Sequence, residues 1–239
     1  MKFKYFKECC NILTHSIKVG WELMRSFAQI SKLNMPVITI FGGAKEGKTG
    51  DYPRKAFDLS KRLVENGIPV LTGGGPGIME SANCGASSAS SKMSTEKKHT
   101  LGIAVKGIDT WFESSCYYNT IHVNYFFMRK WLLTRYSVGF IVFPGGIGTL
   151  DELFDVLNLM KHHRIPPFPI VLIGETYWKP LLSLLKDSAL KGGFIDERLA
   201  KLFMVTDDID KAYKIMYDSC NLFRNLHKSP PSPKPDKPD

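Results

Sequence analysis

The feature that most constrains this chain is a glycine-rich turn that separates an apolar run from an amphipathic one within Val138–Phe154 (VGFIVFPGGIGTLDELF). The run Phe140–Phe143 predicts a buried strand, Pro144–Gly148 a turn, and the segment from Thr149 a helix. Glycines let backbone N–H groups approach an anion, and the N-terminus of a following helix favours negative charge. Glu152 falls in the first turn of that predicted helix. The stretch therefore predicts an anion site with a carboxylate beside it.

Short apolar runs alternate with amphipathic segments along most of the chain, which is typical of a parallel sheet covered by helices on both faces. The predicted strands are Val37–Phe41, Pro69–Thr72, Leu101–Val105, Thr120–Val123, Phe140–Phe143, Pro169–Ile173 and Phe203–Thr206. The predicted helices are Arg54–Asn66, Gly77–Cys84, Tyr125–Tyr136, Leu150–His162, Lys179–Leu190 and Ile209–Cys220, the last with an N-cap from Asp207 or Asp208. We expect a loop over Ala86–His99, which is rich in Ser and Lys.

Three segments differ in composition. Residues 1–34 are predicted to be a helical extension, because apolar residues recur at helical spacing from Ile17 to Ile30. We expect this apolar stripe to pack on the domain or on a second subunit. Residues 35–222 form the predicted catalytic domain, and the proline-rich residues 223–239 a disordered tail.

Net charge, apolar runs and cysteine content limit the classes of ligand and the cellular location that we expect. The net charge is +9, and residues 1–34 contribute six Lys/Arg against two Asp/Glu. No basic stripe interleaves with aromatic residues, so we predict phosphorylated small ligands rather than nucleic acid as partners. No apolar run approaches the roughly 20 residues of a membrane span. The five cysteines show neither metal-ligand spacing nor a disulfide framework, which favours a reducing, cytoplasmic location.

Two further glycine loops follow predicted strands, Gly42-Gly43 and Gly73–Gly77. In an open parallel sheet such loops lie at the carboxyl edge, where ligands bind. The second loop does not match the dinucleotide fingerprint, because Ile78 stands where glycine or alanine is required. A nicotinamide-dependent dehydrogenase is therefore disfavoured.

The first loop matches a different motif. Residues 42–49 (GGAKEGKT) fit the spacing of the phosphate-binding P-loop, which is typical of ATPases and GTPases. That mechanism needs a helix that begins at the Gly-Lys-Thr, whereas Pro53 indicates a helix that begins several residues later. No apolar strand ends in an aspartate suited to Mg²⁺. A P-loop NTPase remains a third-ranked alternative.

Three motifs together resemble those of one family. The sequence PGGIGTLDE at Pro144–Glu152 fits the pattern P-G-G-x-G-T-x-x-E, Phe127–Lys130 resembles an Arg-Lys helix motif, and Thr72–Glu80 resembles a second glycine loop. By these motifs the chain resembles the LOG ("Lonely Guy") family of cytokinin-activating phosphoribohydrolases, long labelled "possible lysine decarboxylase". The similarity covers residues 36–220.

This resemblance implies a Rossmann-like doubly wound parallel sheet, a homodimer or larger homo-oligomer with active sites near the subunit interface, and no cofactor or metal. It implies hydrolysis of the N-glycosidic bond of nucleoside 5'-monophosphates to free base and ribose 5-phosphate. The catalytic pair would be Arg129 and Glu152. The substrate and its phosphate would be bound by Gly42, Gly43, Gly73, Gly74, Gly75, Met79, Glu80, Lys130, Gly145, Gly146, Gly148 and Thr149.

Elementary chemistry agrees with this role. Cleavage of a C–N glycosidic bond builds positive charge on the sugar, which a carboxylate stabilises. At 100° per residue, Glu152 lies about 200° from the apolar direction that Leu153, Phe154 and Leu157 share, so we expect it outside the core. Arg129 beside it would keep it ionised.

One departure from the family pattern and two alternative functions remain. The family's first loop usually carries serine and arginine, where this chain has Gly43 and Lys45. Lys lacks the forked donors of Arg, so ligand identity or affinity would differ. A non-catalytic carrier on the same scaffold, such as the molybdenum-cofactor carriers related to this family, and the NTPase are the alternatives. A pyridoxal phosphate decarboxylase has no support beyond scattered lysines.

Overall fold

The computed structural model describes residues 2–45, 50–91, 99–108, 114, 116, 118–195, 197 and 202–228, with only the backbone for residues 2–7, 9 and 10. The strands are β1 (Val37–Phe41), β2 (Val70–Thr72), β3 (Thr100–Val105), β4 (Thr120–Val123), β5 (Ser137–Val142), β6 (Ile170–Ile173) and β7 (Phe203–Thr206). The helices are α1 (Lys2–Ile30), α2 (Asp51–Glu65), α3 (Ile78–Ser90), α4 (Phe126–Arg135), α5 (Ile147–Lys161), α6 (Glu175–Ser183), which continues as a π-helix (Leu184–Leu190), and α7 (Ile209–Lys228).

The seven strands form one parallel sheet in the order β4-β3-β2-β1-β5-β6-β7. One face is covered by α1, α4, α5 and α6, and the other by α2, α3 and α7. The predicted Rossmann-like, doubly wound α/β fold is therefore confirmed. The strand order reverses between β1 and β5, which is where ligands bind in open α/β sheets.

Two helices continue well past their predicted C-terminal ends. The helix α3 continues to Ser90, through the first part of the predicted Ala86–His99 loop, because Ala86 and Ala89 are buried against the sheet. The last helix, α7, continues to Lys228, so residues 223–228 do not belong to a disordered tail. Phe223 packs against the core, and the Arg224 guanidinium donates to the Gly67 carbonyl. Residues 229–239 lie outside the described residues.

The predicted N-cap of the last helix is present. Asp208 Oδ1 accepts hydrogen bonds from the backbone N–H groups of Asp210 (2.8 Å) and Lys211 (3.2 Å). None of the described helices combines the length and hydrophobicity that crossing a bilayer requires.

The apolar stripe of α1 faces solvent over most of its length. Ile30 is buried, but Ile17, Trp21 and Met24 are each more than 60% exposed. A different face of the helix, which includes Val19, packs on the sheet. The predicted packing of the stripe on the domain is therefore wrong for Ile17, Trp21 and Met24, because helix α1 has two apolar faces that the periodicity did not distinguish. Packing of the stripe on a second subunit stays a prediction.

A disulfide joins Cys84 in α3 to Cys116 in the connection between β3 and β4. The expectation of no cysteine pairing was therefore wrong. The two residues are 32 positions apart, so no local sequence pattern indicates their pairing. Cys220 is a free, buried thiol, and burial raises its pKa to about 12.

Candidate active site

A cavity of about 680 Å³ lies at the carboxyl ends of β1 and β5, at the reversal of strand order. The three glycine loops are joined there through Gly43. The Gly43 N–H donates to the Pro144 carbonyl (2.9 Å), and the Gly43 carbonyl accepts from the Ile78 N–H (3.1 Å). Tight backbone contacts of this kind leave no room for side chains, since a Cβ on Gly77 would overlap the Gly43 carbonyl. The three glycine loops thus form one continuous wall of the cavity.

A buried ion pair lies in the cavity wall. The Arg129 guanidinium, on α4, donates to Glu152 Oε1, on α5, at 3.0 Å, and both residues are 9% exposed. Burial raises the pKa of Glu152 above the usual value of a carboxyl group, although Arg129 opposes the rise. Arg129 lowers the pKa of Glu152, as predicted, but the desolvation that accompanies burial raises this pKa by more.

The position of Arg129 depends on the second glycine loop. A Cβ on Gly73 would overlap the Arg129 guanidinium, which also lies 3.9 Å from the Met79 sulfur. Gly73 therefore leaves the space that the arginine occupies beneath the cavity. A larger residue there would displace the guanidinium from Glu152.

The helix after the third loop begins earlier than predicted. Gly146 is its N-cap, and α5 starts at Ile147 rather than Thr149, because the Gly146 carbonyl accepts from the N–H groups of Thr149 and Leu150. Glu152 consequently lies in the second turn, not the first. It is buried, while Phe154, expected on the core side, is 42% exposed. The prediction of which face of α5 is buried was wrong at these two residues, because Arg129 of α4 covers the face that carries Glu152.

Charged groups surround the mouth of the cavity. Lys130 Nζ lies 2.7 Å from Asp151 Oδ1, so this lysine is neutralised. Lys45 also lines the cavity, and within the described part of the chain it makes no ion pair. With Arg129 paired to Glu152, Lys45 supplies the net positive charge of the lining, where an anion is attracted.

The structure brings most of the predicted site residues into this cavity. Its lining includes Gly42, Gly43, Met79, Arg129, Lys130, Gly145, Gly146, Gly148, Thr149 and Glu152. Four predicted residues do not line it: Gly73, Gly74, Gly75 and Glu80. Gly74 packs against the backbone of β3, and Glu80 is buried and accepts a hydrogen bond from the Ser114 hydroxyl at 3.3 Å.

Two aromatic residues of the lining were not predicted. Phe126 precedes the Arg-Lys motif by two residues, and Tyr177 lies in the first turn of α6. The Tyr177 hydroxyl donates to the Gly145 carbonyl and so fixes the third glycine loop. The strand-edge rule would have pointed to Tyr177, because it follows β6 at the same carboxyl edge as the glycine loops.

The helix after the first loop begins later than the P-loop mechanism requires. Helix α2 begins at Asp51 after its N-cap Gly50, two residues beyond the end of the Gly-Lys-Thr sequence. The backbone N–H groups at that helix start are therefore displaced from the motif. Residues 46–49 of the motif lie outside the described residues.

The assembled lining combines two chemical functions. Glycine N–H groups, the N-terminus of α5 and Lys45 are suited to an anion. The buried carboxylate of Glu152 is suited to a centre that becomes positively charged or to a water molecule. A ligand with a phosphate at one end and a reacting carbon nearby would meet both.

Several known proteins are similar in sequence to this chain. The model of the family described as "Possible lysine decarboxylase" matches residues 79–216, more than half of the chain. A rice protein named probable cytokinin riboside 5'-monophosphate phosphoribohydrolase LOG4 is 27% identical over 182 residues, 72% of each chain. The Arabidopsis thaliana enzyme LOG5 is 30% identical over 74% of this chain and 75% of its own length. A Rhodococcoides fascians protein named cytokinin riboside 5'-monophosphate phosphoribohydrolase is 28% identical over 73% of this chain and 86% of its own length.

Solved structures share the fold. TM1055 superposes with a TM-score of 0.56 at 20% identity, covering 77% of this chain and 99% of its own. The molybdenum cofactor carrier protein of Chlamydomonas reinhardtii gives a TM-score of 0.55 at 20% identity, with coverage of 78% and 98%. At these identities the likeness extends to the fold alone.

Proposed function

Because the chain belongs to the "Possible lysine decarboxylase" family, to which the LOG phosphoribohydrolases belong, we propose that it hydrolyses the N-glycosidic bond of a nucleoside 5'-monophosphate. The products are the free base and ribose 5-phosphate. The observation that carries the proposal is the buried Arg129–Glu152 pair in a cavity walled by three glycine loops.

In this mechanism the substrate phosphate lies against the glycine N–H groups and the N-terminus of α5. The phosphate is remote from the reacting carbon, so its binding energy holds the ribose in register. Ionised Glu152 faces the anomeric carbon, stabilises the positive charge that develops as the base departs, and orients the attacking water. Arg129 fixes the Glu152 carboxylate and opposes its protonation.

The direct test is incubation of the protein with AMP, CMP, GMP and a cytokinin riboside monophosphate, with free base measured by chromatography. We expect release from at least one of them. Glu152→Gln and Arg129→Ala should each lower turnover roughly 100-fold or more, the usual range for loss of an acid–base group. Asp155→Asn, one turn further along α5 and outside the cavity lining, is the matched control and should retain activity.

The same experiment separates the alternatives. Full activity in Glu152→Gln would contradict the mechanism. Tight nucleotide binding by calorimetry without base release from any substrate would indicate a carrier instead. Mg²⁺-dependent phosphate release from ATP would indicate an NTPase.

A further inference from the structure

A second cavity, of about 580 Å³, lies between helix α1 and the edge strand β4. Among the described residues, β4 pairs with β3 alone. The Lys106 N–H donates to the Val123 carbonyl at 2.9 Å, so the backbone of Val123 faces β3. Successive residues of a strand direct their N–H and C=O groups to opposite edges. The backbone groups of Thr120 and His122 therefore face away from β3, towards the cavity that these two residues line.

A carboxylate of α1 shows that this outer edge of β4 is open to hydrogen bonding. Glu22 Oε1 accepts from the Asn124 backbone N–H at 3.0 Å and from the Asn124 side chain at 2.9 Å. Asn124 follows His122 in the same alternation, so Glu22 occupies the place that a carbonyl of a further strand would take. The backbone groups of Thr120 and His122 have no such partner in the part of the chain that the structure describes. A row of unpaired N–H and C=O groups is a template for an added strand.

The walls of this cavity carry an excess of positive charge. Lys18 and Arg25 lie on the same face of α1 as Glu22, and Lys106 follows β3. Within the described ranges none of these three cations forms an ion pair. Lys18 and Arg25 are seven residues apart, which is about 10 Å along a helix, so they suit separated acidic groups better than one phosphate group.

The cavity also contains a buried hydroxyl group. Ser26 is 4% exposed, lines the cavity, and makes no hydrogen bond to any other described residue. The adjacent inner face of α1, which includes Val19 and Leu23, packs on the core and holds the serine in position. A buried polar group without a partner costs free energy, and a ligand that accepts from this hydroxyl would remove that cost.

We propose that this cavity binds an acidic peptide in an extended conformation, which adds to β4 as an eighth strand of the sheet. The backbone groups of Thr120 and His122 provide the hydrogen bonds of the ladder, and the cations of the walls select acidic side chains. A phosphate group or another small anion uses only the N–H donors and leaves the C=O groups of the edge unpaired. An extended peptide satisfies both.

The test is the binding of a fluorescein-labelled hexapeptide of alternating Glu and Thr to the full chain, measured by fluorescence anisotropy. We expect saturable binding, and binding about 10-fold weaker for a hexapeptide of alternating Lys and Thr. His122→Pro removes an outward N–H but none of the bonds to β3, because proline is tolerated in an edge strand where its nitrogen faces away from the sheet. It should weaken binding of the acidic peptide about 10-fold. His122→Thr keeps the N–H and should bind like the natural protein.

A second pair of variants tests the charge of the walls. Lys18→Glu should weaken binding of the acidic peptide roughly 5-fold. Lys214→Glu is the matched control, because it makes the same change of charge at an exposed lysine of α7, on the other face of the sheet, which also forms no ion pair among the described residues. This variant should bind like the natural protein. Circular dichroism melts establish that every variant is folded.

Three outcomes would overturn strand addition. The first is no binding of the acidic hexapeptide, or equal affinity for it in the natural protein and in folded His122→Pro. The second is equal binding of the same hexapeptide with every backbone N–H methylated, which would assign the cavity to anions in general. The third is a natural protein whose mass in sedimentation velocity halves in His122→Pro, which would assign the edge to a second copy of the chain. None of these measurements uses a nucleotide, so their results do not depend on the proposed function.

Discussion

At the scale of single residues, Glu152 is subject to opposing influences on its ionisation. Burial raises its pKa, and Arg129 at 3.0 Å lowers it. Two weaker influences come from the cavity mouth, where Asp151 raises the pKa of Glu152 and Lys130 lowers it. Because the mechanism needs the ionised carboxylate, these neighbours set the pH below which activity is lost.

The pH profile of kcat/KM tests this balance. A raised pKa means that Glu152 becomes protonated at a higher pH than an ordinary carboxyl group. As pH is lowered, we therefore expect activity to be lost already at a pH above 4.5, the ordinary pKa of glutamate. Asp151→Asn removes a negative neighbour and should move this acid limb to lower pH. Lys130→Ala removes a positive neighbour and should move it to higher pH.

The opposite signs are the control, since both variants break the same Lys130–Asp151 pair. Shifts of the acid limb in the same direction would show that the loss of the pair, rather than the charge near Glu152, governs the profile.

The sequence predicted the position of Glu152 on the helix after the glycine turn, but it did not predict that this side chain is buried. The spacing within PGGIGTLDE located the turn, the helix and the carboxylate. It did not indicate that Glu152 is buried, because burial comes from Arg129 on a helix 23 residues earlier. Likewise, the resemblance of Thr72–Glu80 to the family's second glycine loop placed Glu80 among the binding residues, yet its side chain accepts a hydrogen bond from Ser114.

At the scale of elements, apolar periodicity located every strand to within a few residues, and three strands without error: Val37–Phe41, Thr120–Val123 and Phe203–Thr206. Helix ends were less predictable where tertiary contacts decide them. Helix α3 runs on to Ser90 because its alanines pack on the sheet, and α7 runs on to Lys228 through the contact of Arg224 with the Gly67 carbonyl. Such contacts are made by residues distant in sequence, which a local pattern does not contain.

The Cys84–Cys116 disulfide is a second long-range contact of α3, and its contribution to stability is measurable. A cross-link over 32 residues restricts the unfolded chain and should raise the free energy of unfolding by about 3–4 kcal/mol. We expect that difference between oxidised and reduced protein in urea unfolding at fixed protein concentration. Cys84→Ser should be as unstable as the reduced protein and insensitive to reductant; a further loss on reduction would assign the effect to another thiol.

At the scale of the whole molecule, strand order creates the site. The loops after β1 and β5 are about 100 residues apart in sequence, and they meet because the two strands are neighbours at the reversal of the sheet. The sequence predicted that the glycine loops lie at one edge of the sheet. No local motif predicts the order of the strands, which decides which of these loops are in contact. The hydrogen bonds of Gly43 to both other loops are the consequence.

The extension α1 contacts this body mainly through its inner face, and deletions separate the contributions of its N-terminal and C-terminal parts. Among the side chains that the structure describes, inner-face contacts begin at Val19 and end at Ile30, so a chain lacking residues 1–12 should retain its free energy of unfolding within about 0.5 kcal/mol. A chain lacking residues 1–31 removes Val19, Leu23 and Ile30 from the core and should lose about 5 kcal/mol, at 1.5–3 kcal/mol for each apolar side chain. Urea unfolding at one protein concentration measures both. Met24→Glu is the comparison that removes only an outer contact, so equal stability of this variant and the chain lacking residues 1–31 would mean that the inner face of α1 contributes nothing to the core.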